Sequence, residues 1–284
     1  MPHRRKAELM RILFLGDVVG KAGRLAVKQF LPKIKEELRL DAVLANGENI
    51  AGGIGMTCET LDELFSAGVD FVTSGNHVWR HKEIFSRLEK DRRIIRPANY
   101  PEGAPGRGHA VLTLGDGRRI AVLNMLGNTY MEPLPCPFRT ALSWLERPEL
   151  EDIPVRLVDF HAEATSEKKT MVWALDGKVS AVLGTHTHVQ TADAQILPRG
   201  TAYLTDLGMC GVEQSSLGMD FEAVFERFLT KIPTAFKPAK GEISLNGAYL
   251  DIDDATGVAK EIRIVREHCP KWRLETAEEQ GISV

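Results

Sequence analysis

Short apolar runs, each ended by a polar or glycine-rich cluster, recur along the chain. Residues 12–15, 42–45 and 71–73 have the length and composition of buried strands. Between them the apolar spacing becomes helical. Leu25, Phe30, Leu31, Ile34 and Leu38 mark one helix, with a kink expected at Pro32. Leu61, Leu64 and Phe65 mark a second, closed by Gly68, and residues 84–88 lie in a third. Strand alternating with helix predicts a parallel sheet with helices on its faces.

The middle of the chain changes character. Residues 110–114 and 120–125 flank Gly115-Asp116-Gly117 and predict a β-hairpin. A helix is expected over 140–145. Residues 155–160 and 179–183 are again continuous apolar runs. Residues 195–197 and 202–204 flank a Pro198-Arg199-Gly200 turn, 219–229 predict a helix, and 249–252 should pair with 262–265. No repeat and no Pro/Gly/Ser-rich linker interrupts this order. The expectation is one α/β domain over 10–268, a layered sandwich of parallel cores and antiparallel hairpins. Residues 1–9 then form a disordered extension and 269–284 a polar tail.

Composition narrows the class. With 284 residues, 43% of them hydrophobic, the chain can bury a sizeable core. A net charge of −3 gives no footing for a standing nucleic-acid partner. Cys58, Cys136, Cys210 and Cys269 form no CxxC pair, which argues against a thiolate metal site and fits a reducing cytoplasm. The longest apolar runs fall short of a membrane span. Arg11 breaks the one stretch that resembles a signal peptide.

Candidate chemistry lies just after the strand-like runs, where open α/β sheets collect ligands. The first run is followed by Gly16-Asp17-Val18-Val19-Gly20, the second by Asn46-Gly47-Glu48-Asn49, the third by Gly75-Asn76-His77. The run 155–160 ends in His161, and 179–183 leads into Gly184-Thr185-His186-Thr187-His188. If that last segment is extended, His186 and His188 point to the same side. Taken singly, each cluster also reads as a turn, a helix cap or a hydrogen-bonded core histidine. Together they offer carboxylate, amide and imidazole donors and no thiolate, a set that suits iron, manganese, zinc or cobalt. The residues 16–22 lack the Ser/Thr of a P-loop, and Cys58 stands where a dinucleotide fingerprint needs its third glycine.

The order GDVVG, NGEN, GNH, DFH, GTHTHV resembles the calcineurin-like metallophosphoesterases. It is most similar to their YmdB-like branch, through HAEATSEK (161–168) and GTHTHVQTAD (184–193). The resemblance implies an αββα sandwich with a two-metal site at the carboxyl ends of the strands. It implies Asp17 and His188 on one metal, with Asn49 beside it. Asn76, His161 and His186 would hold the other, Glu48 would bridge the two, and His77 would be the general acid. Two such ions can share a hydroxide and clamp a phosphate in line with it. The implied metals are iron, with manganese as the alternative. The implied substrate is a 2′,3′-cyclic nucleotide, opened at the 2′ oxygen to leave a 3′-phosphate. Two other functions stay open: a broad phosphomonoesterase or 5′-nucleotidase, and a non-catalytic regulatory protein that binds metal and nucleotide. A homo-oligomer is also left open. Residues 51–56, 128–130 and 208–211 are candidate substrate loops, with Tyr130 as a base platform. Glu163, Thr165 and Ser166 are candidates for supporting the metal ligands, and one of the last two for a helix cap.

Overall fold

The computed structural model describes residues 8–268. The expected extension at 1–9 and tail at 269–284 fall largely outside that span, although Leu9 already opens the first strand. Two six-stranded sheets carry the fold. The first contains β1 (Leu9–Val19), β2 (Ala42–Asn49), β3 (Phe71–Thr73), β10 (Met209–Val212), β11 (Ile243–Asp253) and β12 (Ala259–His268), in the order β12-β11-β10-β1-β2-β3. The second contains β4 (His109–Thr113), β5 (Arg119–Leu126), β6 (Arg156–His161), β7 (Ala181–Thr185), β8 (Gln195–Ile196) and β9 (Ala202–Leu204), in the order β4-β5-β6-β7-β9-β8. Strands β1, β2, β3 and β10 run parallel, as do β5, β6, β7 and β9. Antiparallel strands close the edges of both sheets, apart from the β3 edge.

The two-residue period of a strand sorts side chains between layers. Met10, Ile12 and Phe14 of β1 enter the core between the sheets, with Leu44, Leu157, Leu183 and Leu250. Leu13 and Leu15 face the other way, under α1 (Gly20–Glu37), α2 (Cys58–Ser66) and α3 (Ile84–Lys90). On the far side of the second sheet, α4 (Pro137–Leu145) and α5 (Thr165–Leu175) cover Leu123, Val158 and Val182. The layers are therefore helix, sheet, sheet, helix. Because both faces of the central strands are covered, they read in sequence as unbroken apolar runs.

Three local departures from expectation stand out. α1 continues through Pro32 to Glu37 as one helix. Residues 209–211, expected in a substrate loop, belong to the buried strand β10. The last antiparallel pair is much longer than 249–252 with 262–265, running from Ser244 to Ile252 against Ala259 to His268. One further helix, α6 (Phe221–Thr230), is capped by Asp220, whose carboxylate accepts the Glu222 and Ala223 N–H groups. It lies in the excursion between β10 and β11 and buries only Val224.

Candidate metal centre

The strand ends of both sheets meet, and their polar clusters touch. β1 and β2 slip register on each side of Asp17, an irregularity that re-aims the side chain at the end of the strand. Asp17 is fully buried; its Oδ2 accepts the His186 N–H at 3.0 Å. Its Oδ1 is buried with no hydrogen-bond partner. A buried carboxylate oxygen without a donor costs free energy unless a cation or proton meets it. That lone pair is the observation that fits a metal here.

Glu48 sits at the centre. Its Oε1 accepts from Asn49 Nδ2 at 2.9 Å and its Oε2 from the His77 N–H at 3.1 Å. Two sets of metal-ligating side chains converge, Asp17–Glu48–His188 and Glu48–His161–His186, and Glu48 belongs to both. Asn76 joins the second set, with Oδ1 at 3.1 Å from His161 Nε2. His186 Nδ1 lies 3.1 Å from the same nitrogen and Glu48 Oε2 3.3 Å from it. Close approach here requires glycine at 75, because a Cβ would lie 2.2 Å from Glu48 Oε2 and 2.4 Å from His161 Nε2.

Hydrogen bonds behind the cluster decide which nitrogen of His161 faces it. His161 Nδ1 lies 2.9 Å from Thr185 Oγ1, whose hydroxyl donates to buried Asp159 at 2.6 Å. Asp159 also accepts from Asn46 Nδ2 at 3.0 Å and from Thr73 Oγ1. With Nδ1 donating to Thr185, Nε2 is left to ligate, the arrangement that orients metal-binding histidines.

His186 and His188 reach the two sets by a different route from the extended one expected. β7 ends at Thr185, and His186 and His188 have φ of 97° and 65°. The cause is Asp206. Its carboxylate accepts the N–H groups of Thr187 (3.1 Å) and Gly208 (2.8 Å), so the chain wraps it instead of continuing the strand. Buried Lys168 pairs with Asp206 at 2.7 Å and donates to the Thr185 carbonyl at 2.8 Å. The turn sends the imidazoles to different sets. His188 Nε2 stands 3.9 Å from Asp17 Oδ1, and its Nδ1 is held by the Leu217 carbonyl at 2.9 Å. Replacing Lys168 by Met should cost about 3–5 kcal/mol, because it leaves Asp206 as a buried unpaired charge. Chemical unfolding measures it, and a loss below ~1 kcal/mol would refute the clamp.

Charges within the cluster pull against one another. Burial pushes Asp17 up to about 6, opposed by His188 and His161. Burial would also raise Glu48, yet His161 and His77 hold it well below the usual carboxylate range. His161 would be lowered by burial, but Glu48, Asp17 and Asp159 lift it to about 9. Burial and then His161 push His186 down to about 3. The cluster's acids thus call for positive charge at its centre, which fits a metal-ion site.

Above the cluster is a cavity of about 680 Å³. Glu48, Asn49, His77, His186 and His188 line it on one side, and Leu217, Phe228 and Phe236 with Arg227 and Lys231 on the other. His77 Nδ1 lies 2.8 Å from Asn49 Oδ1 and 3.1 Å from Glu48 Oε1. Asn49 therefore lies between His188 Nε2, at 3.2 Å from its Nδ2, and His77. Val78 and Trp79, not an acidic residue, directly follow His77, and the orienting group comes from the end of β2 instead.

All eight sequence-derived site residues are thus brought together: Asp17, Glu48, Asn49, Asn76, His77, His161, His186 and His188. Of the three supporting groups expected, one is at the cluster. Glu163 does reach His186 Nε2, at 3.2 Å. Thr165 and Ser166 are exposed, and neither caps α5, whose N-cap is Ala164. Of the expected substrate loops, only Gly53 lines the cavity. Asn128 and Thr129 are tied back to Glu167, and Tyr130 is 90% exposed away from it. Asp159, a carboxylate inside an apolar run, was the signal in the sequence for the support behind His161.

Residues 13–265 match the family model described as YmdB-like protein. A Bacillus subtilis (strain 168) protein named 2′,3′-cyclic-nucleotide 2′-phosphodiesterase is 47% identical over 253 residues, covering 89% of this chain and 95% of its own length. Two crystal structures superpose with a TM-score of 0.86. One is a hypothetical protein from Thermus thermophilus, 43% identical, covering 92% of this chain and all of its own. The other is a phosphatase from Mycoplasma pneumoniae, 33% identical, covering 93% and 95%. Strand-end ligands, layer order and near-full-length identity agree, and the chain belongs to the YmdB-like family.

Proposed function

We propose that the protein is a dinuclear metal-dependent phosphodiesterase that hydrolyses 2′,3′-cyclic nucleotides, breaking the bond to the 2′ oxygen and leaving a 3′-phosphate. The observation that carries this is Glu48, one carboxylate shared by two converging ligand sets on the floor of a cavity that His77 also lines. The name of the Bacillus subtilis relative supplies the substrate class. Asp17, Glu48 and His188, with Asn49 beside them, would hold one ion. Glu48, Asn76, His161 and His186 would hold the other. When bound, a metal pair supplies Lewis acidity that activates water and offsets phosphate charge. Oxygen and imidazole donors without thiolate suit iron, manganese, zinc or cobalt, and among these we assign iron, with manganese as alternative, on the resemblance of the motifs alone.

His77 serves the leaving group. Its Nδ1 is engaged by Asn49 and Glu48, so Nε2 is free to give a proton to the departing 2′ oxygen. Water adds to phosphorus as that bond breaks, which yields a 2′ hydroxyl and a 3′ phosphomonoester. Phe228 and Phe236 also line the cavity, with Lys231 and Arg227 over their rings, and offer apolar and cationic surface for the nucleotide. We assign the protein to a reducing cytoplasm, supported by the free cysteines Cys58, Cys136 and Cys210. No helix among the described residues is long and apolar enough to cross a membrane.

The test is turnover of 2′,3′-cyclic, 3′,5′-cyclic and 2′-, 3′- and 5′-monophosphate nucleotides, with products assigned by phosphorus NMR. A 3′-phosphate from the 2′,3′-cyclic substrate supports the proposal. Equal kcat/KM on monophosphates would make the protein a phosphomonoesterase, and tight binding without turnover would make it a sensor. The two ligand sets add a separate prediction. His188→Ala should weaken mainly the ion at Asp17, and His186→Ala mainly the ion at Asn76 and His161. Metal analysis after dialysis measures this, and equal loss of both ions from either change would sink the division.

A further inference from the structure

A second cavity, of about 640 Å³, opens between the β4–β5 hairpin and α4 and shares no lining residue with the metal-centre cavity. Arg96, Arg107, Arg139, Arg147 and His109 line it. Among the described residues, the one carboxylate that touches any of these five is Glu149, at 3.1 Å from Arg147 Nη1 and 3.2 Å from His109 Nε2. Arg96 is buried and spends its donors on the carbonyls of Pro97, Ala104 and Pro105. Arg107 gives Nη2 to the Glu89 carbonyl, while its Nη1 is buried without a partner. Arg139 has no hydrogen-bond or ion-pair partner among the described residues. Trp144, 3% exposed, also lines the cavity and leaves its indole N–H unpaired.

Four guanidiniums against one carboxylate leave three positive charges around one cavity, in a chain whose net charge is −3. Burial, then Arg147, pushes His109 below the ordinary histidine range, as a positive potential requires. The buried N–H donors of Arg107 and Trp144 that lack partners are costly, and an anion held among the guanidiniums relieves them. Guanidinium forks match phosphate oxygens in pairs. A monophosphate dianion would leave one positive charge over, whereas a diphosphate carries about three negative charges near neutral pH. Single-stranded nucleic acid would want exposed rings for its bases, and the cavity's indole, Trp144, is buried.

We propose that this cavity binds a diphosphate group, free or carried by a nucleoside, held by Arg107, Arg139 and Arg147 away from the metal centre. Equilibrium dialysis of the metal-loaded protein with labelled ADP, without added magnesium, tests it. The variant Arg139→Ser/Arg147→Ser changes two exposed side chains, so metal content and cyclic-nucleotide turnover should stay at wild-type levels. Its ADP affinity should fall at least about tenfold, and wild type should prefer ADP to AMP by about as much. Displacement by pyrophosphate as effective as by unlabelled ADP identifies the diphosphate alone as the ligand, and weaker displacement adds the nucleoside to it. Arg139→Lys/Arg147→Lys should weaken ADP binding less than the serine pair, since charge survives but the fork is lost. Identical ADP isotherms for wild type and the serine variant, or AMP and orthophosphate binding as tightly as ADP, would overturn the proposal.

Discussion

Glu48→Gln is expected to abolish turnover and empty both metal positions. The side chain is 1% exposed and belongs to both ligand sets, and glutamine keeps its shape while removing its charge. Asp17 would then be the single carboxylate among the ligands of either set. The amide would also place N–H donors where Glu48 now accepts from Asn49 and His77. Without ions, water keeps a pKa near 15.7 instead of about 7, so nucleophile supply falls by about eight orders of magnitude. Residual activity should lie below detection. Metal analysis and steady-state kinetics measure it together. A variant that keeps both ions and more than about 1% of wild-type kcat would show that Glu48 does not join the sites.

His77→Ala should act on chemistry alone. Metal content should stay at wild-type level, since His77 belongs to neither ligand set. Turnover of a cyclic nucleotide, whose leaving group is a poorly acidic alcohol, should fall by roughly 10²–10⁴-fold. An aryl ester whose phenolate leaves unaided should lose far less. KM should change little if the residue acts only on the departing oxygen. Equal losses for the two leaving groups would assign His77 to substrate binding and not to proton donation.

What could be read from the sequence follows burial. Residues 12–15, 42–45, 155–160 and 179–183 are covered on both faces, so their apolar runs are continuous and visible. β10 escaped because Met209–Val212 is short and begins beside Gly208. The first half of β11 escaped because Asn246 and Gly247 break the apolar pattern. Gly247 is needed there, since a Cβ would lie 2.5 Å from the Phe14 carbonyl of β1. α5 was legible only as a helix start near Thr165 and Ser166, because its inner face carries Glu167 and Lys168, whose charges are satisfied by partners far away in sequence. The ligands themselves were legible, since each follows a recognisable strand. The turn that separates His186 from His188 was not, because a histidine with positive φ looks in sequence like any other.

That turn also bears on what happens when the ions leave. Non-glycine residues in left-handed backbone cost of order 1–3 kcal/mol each and persist only where their surroundings over-determine them. Here the surroundings are the Lys168–Asp206 clamp and the bond from His186 N to Asp17, all supplied by the polypeptide. The scaffold is therefore built before any ion arrives, unlike small domains that fold only around theirs. Prolonged chelation should silence the protein while leaving its circular dichroism and cooperative melting in place. Adding ions back should restore turnover without a refolding step. Loss of the cooperative transition on chelation would mean that the metals, and not the clamp, hold the histidine turn in shape.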